Sequence, residues 1–331
     1  MTHSPKTAFV TGATGFVGFH LTRELLARDW HVTALHRSTS DLSKLDSLSI
    51  DMVVGDITDL ESLRSAIPKG VAAVFHVAGN TGLWSRGNEM QWRENLTGTR
   101  NMVIASLNAE AKRLVYTSTA SIYGLQEGRI DEESPRLGGD SWVNYQRSKF
   151  QAEEEVQKGM EMGLDTVVVN PSNILGSLDT NGWARFIQWV VSSDLLVIPP
   201  GAASFCHVTE VAKAHIEAFE QGRTGDRYLL GGADASFREL IRTIGGLQGH
   251  KKIVIRIPAW LARSVGYLSR LWTGLPTSPP AMTPESVEEL TLQVLCDSSK
   301  AERELGYRPV ELSLMLQESY SWLEAEGLLS R

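Results

Sequence analysis

Cysteine is scarce in this sequence, as are the other marks of a secreted, metal-binding or membrane-spanning protein. Its two cysteines, Cys206 and Cys296, lie far apart and outside any CxxC pair, which indicates neither a disulfide framework nor a zinc site. No uncharged apolar run reaches the ~18 residues of a spanning helix. The polar start, Met1 to Lys6, lacks the layout of a secretory signal. We therefore expect a cytoplasmic protein without a bound metal.

An excess of positive charge is also missing. The 331 residues carry 32 Lys and Arg against 39 Asp and Glu, a formal net charge of -7. Proteins that bind nucleic acid usually show a basic footprint, so no nucleic-acid partner is expected. The hydrophobic fraction of 42% is ordinary and allows a sizeable core, in two compact units or in one domain with a large appended lobe.

Short apolar runs alternate with amphipathic stretches through the first two thirds of the chain. This alternation predicts an α/β fold with a doubly wound parallel sheet. The predicted strands are 8–10, 31–35, 52–54, 72–77, 113–117 and 166–169, with a return strand at 227–230. The predicted helices are 16–28, 59–66, 95–108 and 145–162.

A glycine-rich turn, TGATGFVG at Thr11 to Gly18, joins the first predicted strand to the first helix. Gly12 permits a tight turn, Gly15 lets the backbone approach a pyrophosphate, and Gly18 lets helix and strand pack closely. The free N–H groups of the helix start suit an anion. In this context the motif predicts a dinucleotide site that includes Thr14, Phe16 and Val17.

The second strand ends without the acidic residue that NAD-binding proteins place there for the adenosine ribose. The sequence has His36-Arg37-Ser38 instead, and Arg37 can grip a 2'-phosphate through its guanidinium group. NADP (NADPH) is therefore expected in preference to NAD, although Arg37 could also be a solvated surface charge. Asp56, after the third strand, could bind the adenine edge or serve as an ordinary turn residue.

Tyr145 and Lys149 lie four residues apart on a predicted helix, so both project from one face. A lysine ammonium there would lower the pKa of the phenol and allow proton transfer near neutral pH. Such a pair alone is weak evidence, but polar residues 117–121 follow a strand where a doubly wound sheet presents ligands. Among those hydroxyls, Thr119 is the predicted catalytic one. The features together indicate one hydride-transfer site.

Across nearly its whole length the chain resembles the extended short-chain dehydrogenase/reductase family. The resemblance is carried by the glycine turn and by Gly55-Asp56, Phe75 to Gly79, Asn95 to Thr99, Thr117 to Gly124 (TSTASIYG), Tyr145 to Lys149, and Asn170 to Asn173. It implies a Rossmann fold of two parts. These are an NADP-binding domain over residues 1–171, with a return segment near 205–231, and a smaller C-terminal substrate-binding lobe over 172–204 and 232–331.

The resemblance also implies roles for individual residues. Thr119 would bind the substrate carbonyl, Tyr145 would donate the proton, and Lys149 would activate Tyr145 and bind the nicotinamide ribose. Pro171 and Ser172 would flank the nicotinamide, while Asn95 could be structural or catalytic. Further cofactor contacts implied are Ile57, Val77, Ala78, Gly79 and Thr117.

Within that family, the sequence is most similar to dihydroflavonol-reductase-like and 3-beta-hydroxysteroid-dehydrogenase-like members. Arg37 and Lys44 resemble their phosphate-binding pair. Sugar-nucleotide dehydratases carry an Asp-Glu pair where Ala120 and Ser121 stand. Nucleotide-sugar epimerases usually carry an arginine for the substrate diphosphate where Ser204 stands. Both departures disfavour nucleotide-sugar chemistry.

The favoured function is reduction of an apolar ketone, or oxidation of its alcohol. The alternatives are a nucleotide-sugar epimerase of the same fold and an NADP-binding redox sensor without turnover. The resemblance suggests a homodimer through helices 95–108 and 145–162. Two groups of apolar residues are candidate substrate contacts. The first group follows the fourth strand and contains Trp84, Met90 and Trp92. The second group follows Ser172 and contains Trp183, Phe186 and Trp189, which have helical spacing and could instead pack the lobe core.

Several further features suggest no chemistry. His207 and His215 are expected to serve packing or hydrogen bonding. The amphipathic stretch Trp260 to Trp272 could rest on a membrane surface, but packing on the core is favoured. The acidic run Glu153 to Glu155 suggests a solvated helix face.

Overall fold

The computed structural model describes residues 5–272 and 283–329, without the side chains of 269–272. The expectations for residues 1–4 and for the side chain of Trp272 therefore lie outside the described residues. The strands are β1 (Thr7–Thr11), β2 (His31–His36), β3 (Asp51–Val54), β4 (Ala73–His76), β5 (Arg113–Thr117), β6 (Gly128–Ile130), β7 (Thr166–Pro171), β8 (Asn173–Leu175), β9 (Leu195–Ile198), β10 (Ala202–His207), β11 (Arg227–Leu230), β12 (Ala233–Ser236), β13 (Ile253–Arg256) and β14 (Gln293–Cys296).

The α-helices alternate with these strands through the first half of the chain. They are α1 (Phe16–Leu26), α2 (Leu60–Ala66), α3 (Asn88–Trp92), α4 (Gly98–Asn108), α5 (Asn144–Glu161), α6 (Gly182–Ser192), α7 (Val208–Glu220), α8 (Phe237–Leu247), α9 (Ala259–Trp272), α10 (Pro284–Thr291), α11 (Ser299–Leu305) and α12 (Leu312–Ala325). A π-helical turn, Arg93–Thr97, joins α3 to α4, so the helix expected from Asn95 begins at Gly98.

Seven parallel strands form the main sheet in the order β11-β7-β5-β4-β1-β2-β3. The chain winds outward from β1 in one direction and from β4 in the other, which confirms the doubly wound α/β fold. Apolar clusters cover both faces, one containing Leu21 of α1 and Val211 of α7, the other Met102 of α4 and Val156 of α5. Ligands bind at the carboxyl edge of such sheets, where the strand order reverses.

The remaining strands form a second sheet, β12-β10-β14-β6 with β8 beside β10, and a separate pair, β9 and β13. They surround a second core that contains Ile187, Phe205, Leu240 and Met315. The chain leaves the main sheet after β7 and returns at β11, which pairs with β7 in parallel. The two sheets are therefore interleaved along the chain.

Two expectations about helix surfaces were wrong. Glu153 is 1% exposed and Glu155 8% exposed, because α5 packs against the main sheet and both carboxylates pair with arginines, Arg227 and Arg100. In α9, Ala262 and Gly266 are buried, whereas Val265 and Leu268 of the apolar stripe are exposed. That stripe therefore does not pack on the core. Within the described residues, no helix is long and apolar enough to cross a bilayer.

Candidate active site

The glycine turn between β1 and α1 is closed by a hydrogen bond from Gly15 N to Gly12 O of 2.9 Å. Gly12 has φ of 75°, and a Cβ on Gly18 would lie 2.1 Å from Gly12 O. Only glycine fits either position. Helix α1 has no side-chain cap, so the N–H groups of Phe16, Val17 and Gly18 point to the turn without intrahelical partners. This backbone cradle fits a pyrophosphate.

Arg37 follows β2 with its side chain 62% exposed and its Nη1 3.3 Å from Glu94 Oε1. Lys44 lies in the same connection and is half-buried. Asp56 accepts hydrogen bonds at Oδ1 from the backbone and hydroxyl of Thr58 (2.8 and 2.9 Å), as a turn residue does. A contact of Asp56 or Ile57 with adenine stays a prediction.

The connection after β4 lies against the glycine turn. A Cβ on Gly12 would come 2.9 Å from Ala78 N, while a Cβ on Gly79 would come 3.9 Å from Lys149 Nζ. The buried Asn95 holds this connection, since its amide accepts from Asn80 N (2.7 Å) and donates to Asn80 O (2.9 Å). Asn95 also donates to Ser148 Oγ at 3.0 Å. Its hydrogen bonds brace two segments that border the site.

Thr119 and Tyr145 come together at the carboxyl edge of the sheet, beyond β5 and at the start of α5. Burial raises the pKa of Tyr145 to about 12, and a hydrogen bond with the Thr119 side chain acts in the opposite direction. The phenol is therefore neutral at physiological pH. Pro171 ends the neighbouring strand β7, and Ser172 N bonds Leu230 O at 3.0 Å, so both lie at the same edge.

Lys149, on α5, is buried and directs its ammonium to β5. Its ammonium donates to the hydroxyl of Tyr116 (2.6 Å) and to the carbonyl oxygen of Thr117 (2.8 Å), both on β5. Burial lowers the pKa of Lys149 to about 7. The ammonium is thus engaged with β5 in this structure, and its expected effect on the pKa of Tyr145 stays a prediction.

A chain of buried side chains connects Tyr116 to the glycine turn. Thr11 Oγ1 accepts from Val77 N (3.2 Å) and Ala78 N (3.1 Å), so its own proton is directed to His76 Nδ1 at 2.8 Å. His76 then donates from Nε2 to Thr99 Oγ1 at 3.1 Å. Burial lowers the pKa of His76 to about 3, which keeps the ring neutral.

Glu153 lies one turn after Lys149 on α5, with a fully buried side chain. It accepts from Arg227 Nε at 2.6 Å and from Ser118 Oγ at 3.2 Å. The carboxylate thus ties the return strand β11 to the polar loop that carries Thr119. Its negative charge also favours the protonated form of Lys149, against the effect of burial.

Helix α10 of the second part brings a carboxyl group to the same region. Glu289 Oε1 accepts from Gln146 Nε2 at 3.2 Å, and Gln146 is 2% exposed with its Oε1 unpaired in the described structure. Burial raises the pKa of Glu289 to about 7. The charge of this carboxyl is close enough to Tyr145 to raise the pKa of the phenol.

The predicted aromatic residues divide into two groups. Trp92 donates from Nε1 to Asn144 Oδ1 at 2.8 Å, directly before Tyr145, and Trp84 stacks with Arg86. Trp183 instead packs on Phe205 (ring centroids 5.0 Å) and Phe186 (5.3 Å) in the core around α6 and α8, as the alternative interpretation expected. Trp189 and Met90 are half-buried and exposed, respectively.

The two histidines serve hydrogen bonding, and one of them, His215, bonds Thr117 at the edge of the site. His215 donates from Nδ1 to Val211 O (2.7 Å) and accepts from Thr117 Oγ1 (2.7 Å), and burial lowers its pKa to about 4. His207 is 2.8 Å from Glu318. Ser204 is fully buried, where it donates to Asp234 and accepts from Cys296 N.

Sequence reasoning missed Tyr116, Glu153, Gln146 and Glu289. Gln146 and Glu153 flank the predicted pair on α5, but only Glu153 shares the helical spacing of that pair, and its charged neighbours indicated a solvated face. Tyr116 lies within the predicted apolar strand 113–117, where nothing in the sequence marks it as a polar partner. Glu289 is distant in sequence from every motif, and no pattern indicates its position.

The family model for the NAD dependent epimerase/dehydratase family matches residues 8–231 of this chain. A Synechocystis protein with a provisional dihydroflavonol 4-reductase name is 31% identical over 96% of this chain and 95% of its own. A Stigmatella aurantiaca enzyme, named 4-hydroxy-2-methyl-3-oxo-4-farnesyl-3,4-dihydroquinoline-1-oxide ketoreductase, is 32% identical over 90% of this chain and 91% of its own.

Among solved structures, that of gox2253 is similar over 98% of this chain and 100% of its own, with a TM-score of 0.86 and 30% identity. The fold, the glycine turn and the similarity to these relatives all indicate the same family, and the relatives match almost the whole chain. This chain belongs to the NAD-dependent epimerase/dehydratase family and is an oxidoreductase of the extended short-chain type.

Proposed function

We propose that this protein is an NADPH-dependent reductase that converts an apolar ketone to its secondary alcohol. The observation that carries the proposal is the neutral phenol of Tyr145 beside Thr119, at the sheet edge that also carries the glycine turn. With its pKa raised to about 12 by burial, Tyr145 holds its proton at neutral pH. Reduction of a ketone requires such a proton donor, because negative charge develops on the oxygen as hydride arrives.

Three residues have separate roles in the proposed reaction. Thr119 hydrogen-bonds the substrate oxygen, Tyr145 passes its proton to that oxygen, and Lys149 provides positive charge nearby. The cofactor, when bound, supplies the hydride from its nicotinamide ring. The backbone cradle of the glycine turn would hold its pyrophosphate, and Gly79, Thr117, Pro171 and Ser172 are the residues proposed to border its nicotinamide end.

NADPH is proposed over NADH because of the residues after β2. Arg37 is exposed there, and a guanidinium can form two parallel hydrogen bonds to a phosphate. Its ionic partner, Glu94, lies 3.3 Å away, and an ion pair with a partner as exposed as Arg37 is weak. Lys44 is the second cation proposed for the 2'-phosphate.

Two observations support an apolar substrate without a diphosphate. Ser204, which stands where nucleotide-sugar epimerases usually carry an arginine, is buried and fully engaged with Asp234 and Cys296. The Stigmatella relative is named for a ketone that carries a farnesyl chain. Trp84 and Trp92 are the aromatic residues proposed to border the substrate, whereas Trp183 and Phe186 contribute only through the lobe core.

Turnover of NADPH with a panel of apolar ketones tests the proposal, with UDP-sugars and dTDP-sugars as competitors. We expect saturable reduction of at least one ketone and no competition by the nucleotide sugars. Tight binding of a nucleotide sugar with every ketone inert would establish the epimerase instead. Binding of NADPH without turnover of any substrate would favour a redox sensor. Mass measurement in solution tests the proposed homodimer through α4 and α5.

A further inference from the structure

Exposed apolar side chains are concentrated on one part of the molecule outside the site. Of the sixteen large apolar side chains that are exposed in residues 5–272 and 283–329, eight lie on β9, β13 and α9. We call these eight the apolar face: Leu195, Val197, Ile253, Ile255, Trp260, Val265, Tyr267 and Leu268. Soluble proteins rarely expose a large apolar patch unless it contacts a partner or a membrane.

The strand part of the apolar face follows from sheet register. β9 and β13 pair in parallel, with Ile253 beside Leu195 and Ile255 beside Val197, so these four side chains lie on one side. They are 43% to 63% exposed, while Leu196 and Ile198 face the core on the other side. Only one side of this two-stranded sheet packs on the core, so the aliphatic residues on its other side stay exposed to solvent.

Helix α9 continues the face, since it begins two residues after Ile257. Its buried side is formed by Ala262 and Gly266, and a Cβ on Gly266 would lie 3.3 Å from Val287 of α10. Trp260 and Leu268, at 67% and 58% exposure, lie on the outer side. A tryptophan and a tyrosine beside aliphatic residues are typical of helices that lie in a bilayer interface.

The charge of the surrounding segment is opposite to that of the whole chain. Between Glu239 and Glu285 there are 45 residues with no Asp or Glu and with six Lys or Arg, in a chain of net charge -7. Lys251 and Arg256 of this segment are exposed at the two ends of β13. Lys252 and Arg263 pair with Asp194 and Glu288, so the attraction to anionic lipid headgroups depends on the exposed Lys251 and Arg256.

The apolar face also borders the candidate site. The ring of Tyr267 stacks on Trp142 at 6.2 Å, three residues before Tyr145. Helix α10, against which α9 packs, carries Glu289. A surface on which the apolar face rests would therefore lie close to the entrance of the site.

We propose that the apolar face docks on the surface of an anionic lipid bilayer, with α9 and the β9–β13 pair in the interface and no segment crossing it. Binding comes from burial of the apolar side chains and from attraction of Lys251 and Arg256 to the headgroups. The docking requires neither cofactor nor turnover, so it goes beyond the proposed reductase activity.

Co-sedimentation of the full chain with vesicles tests the docking, using phosphatidylcholine alone and phosphatidylcholine with phosphatidylglycerol. We expect binding to the anionic vesicles that weakens with salt, and little binding to the neutral ones. The double variant V265E/L268E should abolish it. Loss of about fivefold for each charge removed is expected in K251Q and R256Q. The matched control M162E, at an equally exposed methionine after α5, should bind like the wild type.

Circular dichroism and thermal unfolding confirm that each variant is folded. Absence of vesicle binding by the wild type, or equal binding by V265E/L268E, would overturn the proposal. If V265E/L268E instead converts a dimer to a monomer in solution while no form binds vesicles, the face is an interface between copies of this chain, and the lipid proposal is wrong. Because no arm measures turnover, failure of the reductase proposal leaves this result unaffected.

Discussion

The ammonium of Lys149 lies 2.6 Å from the hydroxyl of Tyr116, a fully buried residue of β5. This bond holds the lysine below the candidate site, beside the carbonyl oxygen of Thr117. Tyr116 in turn shares a hydrogen bond with Thr99, so the lysine is connected through His76 and Thr11 to the glycine turn. The glycine turn, which forms the cofactor cradle, and helix α5, which carries Tyr145 and Lys149, are therefore joined by one buried polar network.

We expect Tyr116→Phe to lower turnover about 10- to 100-fold, the effect of losing one hydrogen bond to a charged group. Tyr116 is a positioning residue that acts through Lys149, so a loss of turnover alone would not distinguish this role from a structural one. The pH–rate profile supplies a second measurement. The hydroxyl accepts from the ammonium and favours its charged form, so its removal should lower the pKa of Lys149 and move the alkaline limb of the pH–rate profile to lower pH. An unchanged profile with normal turnover would contradict this role.

Tyr145→Phe should reduce turnover by ~10²- to 10⁴-fold, the usual contribution of a general acid, because it removes the phenolic proton and keeps the ring. NADPH affinity should stay within a few-fold of wild type. Steady-state kinetics and cofactor titration measure the two effects. Activity close to that of the wild type would mean that the proton comes from another group.

Arg37→Ala should weaken NADPH binding by about 10- to 100-fold, the loss of a charge-assisted contact, and leave NADH binding unchanged. The matched variant Glu94→Gln removes the carboxylate 3.3 Å from Arg37, so NADPH should bind at least as tightly as to the wild type. Fluorescence titration of both cofactors compares the three proteins. Equal affinity of the wild type for NADPH and NADH would refute the assignment.

Gly18→Ala should abolish cofactor binding and lower the melting temperature. Its Cβ would lie 2.1 Å from Gly12 O, a backbone atom that can move only if the turn opens. The control is Gly246→Ala in α8, where a Cβ would meet nothing within 4 Å and should add about 0.5–1 kcal/mol of stability. Thermal unfolding with and without NADPH separates the two. A Gly18 variant that binds NADPH normally would disprove the tight packing.

We expect Glu289 to make the stability of the folded protein depend on pH. Burial raises the pKa of this carboxyl to about 7, above its unfolded value of 4.5, so the folded state binds the proton more tightly. Its contribution to stability is therefore full below pH 4.5 and is lost as pH rises through 7. Glu289→Gln, which stays neutral, should gain about 2–4 °C in melting temperature relative to the wild type between pH 5 and pH 8.

Unfolding of the cofactor-free protein at both pH values measures this difference. Glu324→Gln, at an exposed position of α12, serves as the control and should follow the wild type at each pH. The same change in both variants would show that Glu289 is not the source.

The sequence by itself determined the seven strands of the main sheet in chain order, the glycine turn and the Tyr145–Lys149 spacing, because these depend on local periodicity and on residues close together in the chain. It could not assign Glu153 to the interior, since its neighbours are charged and its partner Arg227 is 74 residues away. Only the tertiary structure brought Glu289 to Tyr145 and directed Lys149 to Tyr116. Such contacts are set by how separate elements pack, and burial at those contacts then sets the pKa values on which the chemistry depends.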